Sequence, residues 1–259
     1  MKKSKLISLF LVFTLFLAAC GNSESETSDE SSGGEKTVYT VGIDTTYPPF
    51  EFEENGEYTG IDIDLITAIA ENQGFEIEFS PMDFGGIIPA MQAGQLDVAI
   101  AGMSITDERK KVVDFSDPYF DAGLSLVVQE GNTDIESADD LKGKKVAVKK
   151  GTTGAAYATE NMEKLGIEVV QFNDSPSMFQ EVANGNADVL IEDYPVIAYA
   201  IAQKDLGLKI VGDRLNGDQY GIAVLKGENT DLLEKINTGL AEMKEDGSYD
   251  EIINKYLGK

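Results

Sequence analysis

The sequence predicts an α/β protein made of two similar lobes. Three observations support this fold class: short apolar runs alternate with amphipathic stretches from Val38 onward, the alternation occurs in two cycles, and each cycle ends in a buried strand. A related turn precedes that last strand in both cycles, from Gly94 to Asp97 and from Gly185 to Asp188. The chain length of 259 residues fits this division, because domains average ~150 residues.

The first cycle spans residues 38–101. Its strand over 38–43 is followed by a helix over 61–74, where apolar residues recur at helical spacing until Gly74 ends the pattern. The remaining elements are a strand over 76–79, a helix over 86–93 and a continuous apolar run over 97–101. A continuous apolar run indicates a parallel strand that is buried on both faces.

The second cycle begins after Gly123 and repeats the alternation. Its first helix starts at the turn Gly151–Gly154 and continues to Leu165. The other predicted elements are strands over 124–129, 145–148, 168–172 and 187–191 and a helix over 177–184. Residues 230–257 are predicted to be mostly helical, with a break at Gly247.

The N-terminal residues predict export. Three lysines precede a mostly apolar run over 6–19, which is shorter than the ~20 residues of a membrane-spanning helix and suits a secretion signal over 1–19. The run ends in Leu17-Ala18-Ala19-Cys20, which resembles the lipobox of bacterial lipoproteins and implies a lipid anchor on Cys20. A plain signal peptide with an incidental cysteine, or a weak membrane anchor, is the alternative. Residues 22–36 contain no aliphatic or aromatic side chain, so we expect a flexible stalk over 20–36.

Composition excludes several classes of function. The chain has 46 acidic and 21 basic residues and a formal net charge of −25, which argues against a nucleic-acid partner because phosphate contacts need clustered cations. It has no histidine, which excludes His-dependent catalytic triads and the common zinc sites. Its one cysteine cannot form an internal disulfide.

Asp62 and Asp64 form an Asp-x-Asp pattern that invites a calcium interpretation. No further acidic spacing completes an EF-hand loop around them. We therefore interpret both as charges at the start of a helix, where the helix dipole favours them, and predict no metal site.

Seven short motifs follow one another in a fixed order between residues 38 and 257. They are Asp44–Phe50, Gly60–Leu65, Ile88–Met91, Gly102–Arg109, Asp114–Tyr119, Asp140–Val148 and Asp188–Pro195. Their order and spacing resemble the family 3 extracellular solute-binding proteins, the polar-amino-acid receptors of ABC importers. Within that family, residues 83–89 and 219–223 are most similar to glutamine-binding proteins.

The resemblance implies a two-lobed fold of the type II periplasmic-binding-protein class, with the ligand in the cleft between the lobes. Lobe 1 would comprise residues 37–120 and 221–259, and lobe 2 residues 124–216. Two crossing segments near 120–126 and 214–221 would act as the hinge. The resemblance further implies a monomer that needs no cofactor. It would be held on the extracytoplasmic face of the membrane by its lipid anchor and deliver its ligand to an ABC permease and its ATPase.

The carboxylate of a free amino acid needs a bidentate donor. Arg109 is one of only two arginines in the chain, and its guanidinium fork matches carboxylate geometry. The family motif assigns it to the ligand, against the alternative of a surface arginine on an acidic helix. Thr152 and Thr153 lie in the turn before a helix, where N–H groups would face the same carboxylate. That turn lacks the Gly-Lys-Ser/Thr of a phosphate-binding loop.

The ammonium group of the ligand needs oxygen acceptors. Asp193 follows the strand over 187–191, at the carboxyl end where ligands bind in open α/β sheets, and by family position it receives the ammonium. The carbonyl of Gly102 and the hydroxyl of Ser104, on either side of Met103, would assist it. The alternative for Asp193 is an N-cap of the following helix.

Two aromatic residues complete the expected cleft. Tyr47 and Phe84 map to the aromatic walls that enclose the ligand in the family. Aromatic faces exclude water from a small polar ligand and leave its edges free for hydrogen bonds. For Phe84 the alternative is ordinary core packing.

Two further residues predict the side chain of the ligand. Asp44 and Lys149 map to positions that face the side-chain amide in glutamine-binding relatives, where a carboxylate accepts from the NH₂ group and a lysine donates to the carbonyl oxygen. Glutamine is therefore favoured over glutamate, which Asp44 would repel. Glu192 departs from the glutamine pattern. If it points into the cleft it favours arginine or lysine, and if it points to solvent it has no effect.

Two other classes of function remain open at this stage. The resemblance extends to cyclohexadienyl or arogenate dehydratases on the same scaffold, for which Glu192 would be the required acid. A further alternative is that the chain is the sensory module of a receptor that signals through another protein. Capture of an amino acid without catalysis is the leading prediction.

Overall fold

Two five-stranded sheets, one in each lobe, organise the residues that the computed structural model describes, 38–258. The strands are Val38–Ile43 (β1), Thr46–Tyr47 (β2), Glu51–Glu54 (β3), Glu57–Thr59 (β4), Glu76–Pro81 (β5), Val98–Ala99 (β6), Val113–Phe115 (β7), Phe120–Asp121 (β8), Leu124–Gln129 (β9), Lys145–Lys149 (β10), Glu168–Phe172 (β11), Val189–Asp193 (β12), Leu208–Val211 (β13), Gln219–Tyr220 (β14) and Ala223–Leu225 (β15). The helices are Ile61–Gln73 (α1), Phe84–Gln92 (α2), Thr153–Leu165 (α3), Ser175–Ala183 (α4), Tyr194–Gln203 (α5), Thr230–Asp246 (α6) and Ser248–Leu257 (α7), with short 3-10 helices at Arg109–Lys111 and Ala138–Leu141.

The sheet of lobe 1 has the strand order β5-β1-β6-β15-β7. Strand β1 pairs parallel with β5 and β6, whereas β15 returns from late in the chain and pairs antiparallel with β6 and β7. Helix α1 packs against α6, and fully buried side chains such as Ile66, Ile69 and Ile236 form the core there. Helix α1 ends at Gly74, whose left-handed conformation (φ 71°) closes the helix as the sequence predicts.

The sheet of lobe 2 has the strand order β11-β10-β12-β9-β13. Strand β10 pairs parallel with β11 and β12, and β9 pairs antiparallel with β12 and β13. Buried apolar residues on the sheet, among them Val146, Val148 and Ile191, pack against Ala158 of α3. The carboxyl ends of β10 and β12 carry Lys149 and Asp193, so the topology brings two predicted site residues to the same sheet edge.

The chain crosses between the two lobes at β8 and β14, which pair with each other antiparallel. Tyr220 lies opposite Phe120 in this short ribbon, and the N–H of Ala122 donates to the carbonyl of Asp218 at 2.8 Å. The crossing segments expected near 120–126 and 214–221 therefore lie side by side. A side-chain bond adds to the ribbon, since Arg214 donates to the carbonyl of Ala122 at 2.9 Å.

The α/β fold class with two lobes, predicted from the sequence, is confirmed. The expected elements are present, although α2 and α4 each begin two residues earlier than predicted and the strand expected over 97–101 is restricted to β6. No element was expected over 194–229, where α5 and β13–β15 lie. Helix α5 is apolar around most of its circumference, so it shows no amphipathic period, and its start is marked instead by a proline in the first turn.

The secretion signal over 1–19, the lipidated Cys20 and the stalk over 20–36 lie outside the described residues. Within residues 38–258, none of the helices combines the length and the apolar character that crossing a membrane requires.

Candidate functional site

Nine of the twelve residues predicted to bind the ligand line one enclosed space between the lobes, whose accessible volume is only about 10 Å³. From lobe 1 they are Tyr47, Phe84, Gly102, Ser104 and Arg109, and from lobe 2 Lys149, Thr152, Thr153 and Asp193. The remaining three, Asp44, Met103 and Glu192, are buried next to these residues. Residues that are far apart in the sequence therefore meet in one cleft.

Lys149 and Asp44 form a buried ion pair across the cleft. The Lys149 Nζ lies 2.5 Å from Asp44 Oδ2, and the side chains are only 2% and 3% exposed. The other carboxylate oxygen accepts from the N–H and the hydroxyl of Thr46 at 3.0 and 2.7 Å. The Lys149 ammonium also lies 4.4 Å from the ring centre of Tyr47 and 5.7 Å from that of Phe84. Two aromatic faces and one carboxylate thus compensate the buried cation.

Arg109 also joins the two lobes. Its Nη1 donates to the carbonyl of Ser104 at 2.7 Å, and its Nη2 donates to the carbonyl of Gly151 in lobe 2 at 3.0 Å. The guanidinium lies over the ring of Phe84, 5.2 Å from its centre. Burial lowers the pKa of Arg109 from its usual value, while the charge of Asp193 acts in the opposite direction. The arginine is therefore directed into the cleft and not along an exposed helix face.

Asp193 is held by two tyrosine hydroxyls. Tyr47 and Tyr220 each donate to its Oδ2 at 2.6 Å, while its Oδ1 is buried without a hydrogen-bond partner. The side chain makes no capping bond to α5, although the residue occupies the N-cap position. Burial raises the pKa of Asp193, and the two hydroxyls and Arg109 oppose that rise.

Glu192 points neither to solvent nor freely into the enclosed space. Its Oε1 accepts from the Asp193 N–H at 2.9 Å and lies 3.1 Å from the Tyr47 hydroxyl oxygen, whose single proton is donated to Asp193. Its Oε2 accepts from the Ser175 hydroxyl at 2.6 Å. Burial, followed by the charge of Asp193, raises the pKa of Glu192 to about 7. Glu192 therefore lies behind the Tyr47 hydroxyl, and its charge near neutral pH depends on a balance of neighbours.

Phe84 and Thr152 each have a structural role beside their place in the cleft. Phe84 is 8% exposed and packs with Ile87 and Met91 in a core cluster, so the alternative of core packing holds together with the expected aromatic wall. Thr152 caps α3, since its Oγ1 accepts from the Ala155 N–H at 3.1 Å and donates to the carbonyl of Lys149 at 2.7 Å. The start of α3 and the position of Lys149 are thereby linked.

Two residues at the site were missed from the sequence. Tyr220 belongs to a segment used only for the family resemblance, yet its fully buried hydroxyl holds Asp193. Ser175 is the first residue of α4, and its hydroxyl holds Glu192. The sequence does contain a signal for Ser175, because this residue begins a helix shortly after strand β11. Residues at that position lie at the carboxyl edge of the sheet, where ligands bind in open α/β folds.

Asp62 and Asp64 both lie in the first turn of α1, as the sequence predicts, but their surroundings differ. Asp64 is partly exposed and accepts from Lys255 Nζ and the Tyr256 hydroxyl at 2.7 and 2.8 Å. Asp62 is fully buried and accepts from the Gly102 N–H at 2.7 Å. Among residues 38–258, no group of three or more acidic or cysteine side chains is arranged to hold a metal ion.

Comparisons with known proteins agree with this architecture. The family model for bacterial extracellular solute-binding proteins, family 3, matches residues 39–259. The ABC transporter glutamine-binding protein GlnH of Bacillus subtilis (strain 168) is 36% identical over 266 residues, which cover 97% of this chain and 95% of GlnH. An ancestral arginine-binding protein is 50% identical in structures bound to arginine and to glutamine, with TM-scores of 0.81 and 0.79. Both of these comparisons cover 86% of this chain and 99% of the other.

The raised pKa of Glu192 predicts how stability changes with pH. Between its unfolded value of 4.5 and its folded value of about 7, the folded protein retains a proton that the unfolded chain has released. The stabilisation from Glu192 is therefore complete below the unfolded pKa and is lost as the pH rises through about 7. In Glu192→Gln, the free energy of unfolding should fall less steeply between about pH 5 and about pH 8 than in wild type.

Urea unfolding at several pH values and constant salt measures this slope. Glu163→Gln, which changes an exposed carboxylate on α3, is the matched control and should keep the wild-type slope. Asp62, whose pKa burial also raises to about 7, leaves a residual slope in both variants. Equal slopes for wild type and Glu192→Gln would contradict the prediction.

Proposed function

The chain belongs to the bacterial extracellular solute-binding proteins of family 3, and from that membership we propose that it captures a polar L-amino acid for an ABC permease and its ATPase. One observation carries the proposal. A cation on lobe 1, Arg109, and an anion on lobe 2, Asp193, line the same enclosed space. A free amino acid carries the complementary pair of charges, so it would bind to both lobes at once.

The carboxylate of the ligand would bind Arg109. At present two of the five N–H donors of its guanidinium are satisfied by neutral carbonyl groups, those of Ser104 and Gly151. A ligand carboxylate can accept from the remaining donors, and the attraction between opposite charges adds to these hydrogen bonds. The nearby start of α3 adds to the attraction.

The ammonium of the ligand would bind Asp193. The buried Oδ1 of this residue has no partner, while the hydroxyls of Tyr47 and Tyr220 fix the other oxygen and with it the plane of the carboxylate. A buried acceptor without a donor costs free energy, which an incoming N–H group recovers. The carbonyl of Gly102 and the hydroxyl of Ser104 would supply the further acceptors that an ammonium group needs.

Glutamine is the ligand that the side-chain end of the cleft favours. Asp44 and Lys149 neutralise each other, so this end has both an acceptor and a donor but no net charge. A side-chain amide offers the matching donor and acceptor. A carboxylate would meet repulsion from Asp44, and a cation would meet repulsion from Lys149.

A basic amino acid is the second candidate, and Glu192 favours it. An ionised Glu192 behind Tyr47 adds a negative charge to an otherwise neutral end of the cleft. The similarity to an arginine-binding protein whose structures hold arginine or glutamine supports keeping both ligands in the test. The proportion of ionised Glu192 near neutral pH decides between the two candidates.

The hydrogen bonds of Glu192 favour binding over catalysis. A dehydratase needs an acid that donates a proton to the substrate. The Oε2 of Glu192 accepts from the Ser175 hydroxyl, and its Oε1 accepts from a backbone N–H beside the Tyr47 hydroxyl, so neither oxygen is directed at a bound substrate. We therefore propose a binding protein and not an enzyme.

We also propose that the lobes close about the two crossing segments, near 120–126 and 214–221. Lobe 1 would then comprise 37–120 and 221–259, and lobe 2 would comprise 124–216. The support is the paired ribbon of β8 and β14, which links the lobes by few backbone bonds. The protein would act as a monomer, because each lobe supplies part of a site that one chain completes.

The lipid anchor is proposed from the N-terminal sequence. A basic start, a 14-residue apolar run and small residues before Cys20 support cleavage at that cysteine and attachment of an acyl-bearing group. The anchor would hold the protein on the extracytoplasmic face of the membrane. Residues 22–36, which have no apolar side chains to bury, would then act as a tether.

Replacing Cys20 tests the anchor. Cys20→Ser should abolish the acyl-bearing mass at the processed N-terminus and release the protein from washed membranes, because serine lacks the thiol that takes the lipid. Ser23→Ala, three residues further on, is the control and should remain membrane-bound. Equal retention of Cys20→Ser and wild type after detergent-free washing would refute the anchor.

Two substitutions test the amino-acid grip. Arg109→Lys retains the charge but loses the bidentate fork, and Asp193→Asn loses the charge that pairs with the ammonium. Each leaves a ligand charge poorly matched in a desolvated site, so each should weaken binding by about 2–5 kcal/mol. Isothermal titration calorimetry measures the loss. Lys110→Arg, the reverse change at the adjacent exposed residue, is the control, and near-wild-type affinity in both cleft variants would contradict the assignment.

Competition among amino acids tests the identity of the ligand. Protein freed of bound ligand by unfolding and refolding is titrated with glutamine, glutamate, arginine, lysine and histidine, in wild type and in Glu192→Gln. Glutamine should bind wild type at least about tenfold more tightly than the others, a difference of ~1.4 kcal/mol. Arginine that binds wild type more tightly than glutamine, and loses this advantage in Glu192→Gln, would overturn glutamine and identify Glu192 as the specificity residue.

A further inference from the structure

The first turn of α1 contains a carboxylate that makes no direct contribution to the proposed grip. Asp62 is fully buried, its Oδ2 accepts from the Gly102 N–H at 2.7 Å, and its carboxylate also interacts with the Tyr119 hydroxyl. Asp64, two residues later, faces Lys255 and Tyr256 instead. Of the two acidic residues in this turn, Asp62 alone is directed at the segment that lines the cleft.

Gly102 is constrained from a second side by an aromatic ring. Its backbone is left-handed (φ 51°), and a Cβ atom there would lie 2.7 Å from the ring of Tyr47. A third constraint follows directly in the chain. The carbonyl of Met103 accepts from the Gly221 N–H at 3.0 Å, and Ser104 forms a β-bridge with Tyr220. The segment 102–104 therefore has little freedom once Asp62 holds its first N–H.

A charged acceptor at this position costs desolvation free energy. Burial raises the pKa of Asp62 to about 7, while the Gly102 N–H and the Tyr119 hydroxyl act in the opposite direction. A neutral apolar residue would avoid that desolvation. The helix dipole offsets part of it, because Asp62 lies in the first turn of α1. What the carboxylate supplies in return is a strong, oriented hydrogen bond to Gly102.

We propose that Asp62 is a positioning residue of the amino-acid site, which through the Gly102 N–H holds the Gly102 carbonyl and the Ser104 hydroxyl against the ligand ammonium. This inference rests on the proposed function, because it concerns the contacts to the ammonium group of a bound amino acid. It goes beyond that function in assigning a role to a residue that lies behind the cleft and does not touch the ligand. Asp62 acts on affinity through the geometry of residues 102–104.

Three substitutions separate the hydrogen bond from the charge. Asp62→Asn retains an oxygen for the Gly102 N–H, and its NH₂ group faces the Tyr119 hydroxyl, so affinity should stay within about threefold of wild type. Asp62→Leu has a similar shape without an acceptor and should weaken binding at least about tenfold. Asp64→Asn, the matched control in the same helical turn, should leave affinity unchanged.

Asp62→Leu leaves a buried N–H unsatisfied, so its folding is checked by circular dichroism and thermal unfolding. If it does not fold, Asp62→Ala replaces it, because the vacated space lets a water molecule accept from Gly102. A water molecule does not fix the segment as a side chain does, and affinity should still fall at least about fivefold. Wild-type affinity in a folded Asp62→Leu or Asp62→Ala protein would overturn the proposal, as would an Asp62→Asn protein that binds as weakly as they do.

A double-mutant cycle distinguishes positioning from general loosening of the fold. If Asp62 positions the ammonium end, the loss caused by Ser104→Ala should shrink at least about threefold when Asp62 is already replaced. The loss caused by Arg109→Lys, at the carboxylate end, should stay the same. Equal shrinkage at both ends would indicate a structural role only and refute positioning. A wild-type protein that binds no amino acid would instead refute the proposed function, so the two failures are distinct.

Discussion

The buried ion pair between Asp44 and Lys149 is the contact on which the rest of the cleft depends. It joins the two lobes through charges that are almost inaccessible to water, and a buried charge without its partner is strongly destabilising. The paired ammonium then packs on the face of Tyr47, whose hydroxyl reaches Asp193. One electrostatic requirement thereby links Lys149, the ring of Tyr47 and, through the hydroxyl of that ring, Asp193.

The sequence was most informative where chemistry requires one type of residue. Arg109 is one of two arginines in the chain, so a bidentate partner for a carboxylate had few candidates. The alternation of apolar runs and helical stripes likewise gave the two lobes, because strand and helix periods differ. Helix α5 was missed since it has no polar face, and the short strands β14 and β15 were missed since two or three residues show no period.

Residues that hold other residues of the cleft were harder to predict than residues that line the enclosed space. Tyr220 and Ser175 lie 27 and 17 positions from their acidic partners, and the buried Asp62 lies 40 positions from Gly102. No spacing rule connects such pairs, because only the folded sheets bring them together. The same reason left the direction of the Glu192 side chain undecided: the hydroxyls next to its carboxylate belong to Tyr47 and Ser175, which are 145 and 17 residues away.

The ribbon of β8 and β14 has a mechanical consequence. Tyr220 lies in this ribbon, with its ring against Phe50 and Phe120, and its hydroxyl ends on Asp193. Under the proposed closure, the pivot and the gripping surface therefore share a side chain. Stiffness of the pivot and strength of the grip cannot evolve independently, because any substitution that alters the angle of Tyr220 changes both.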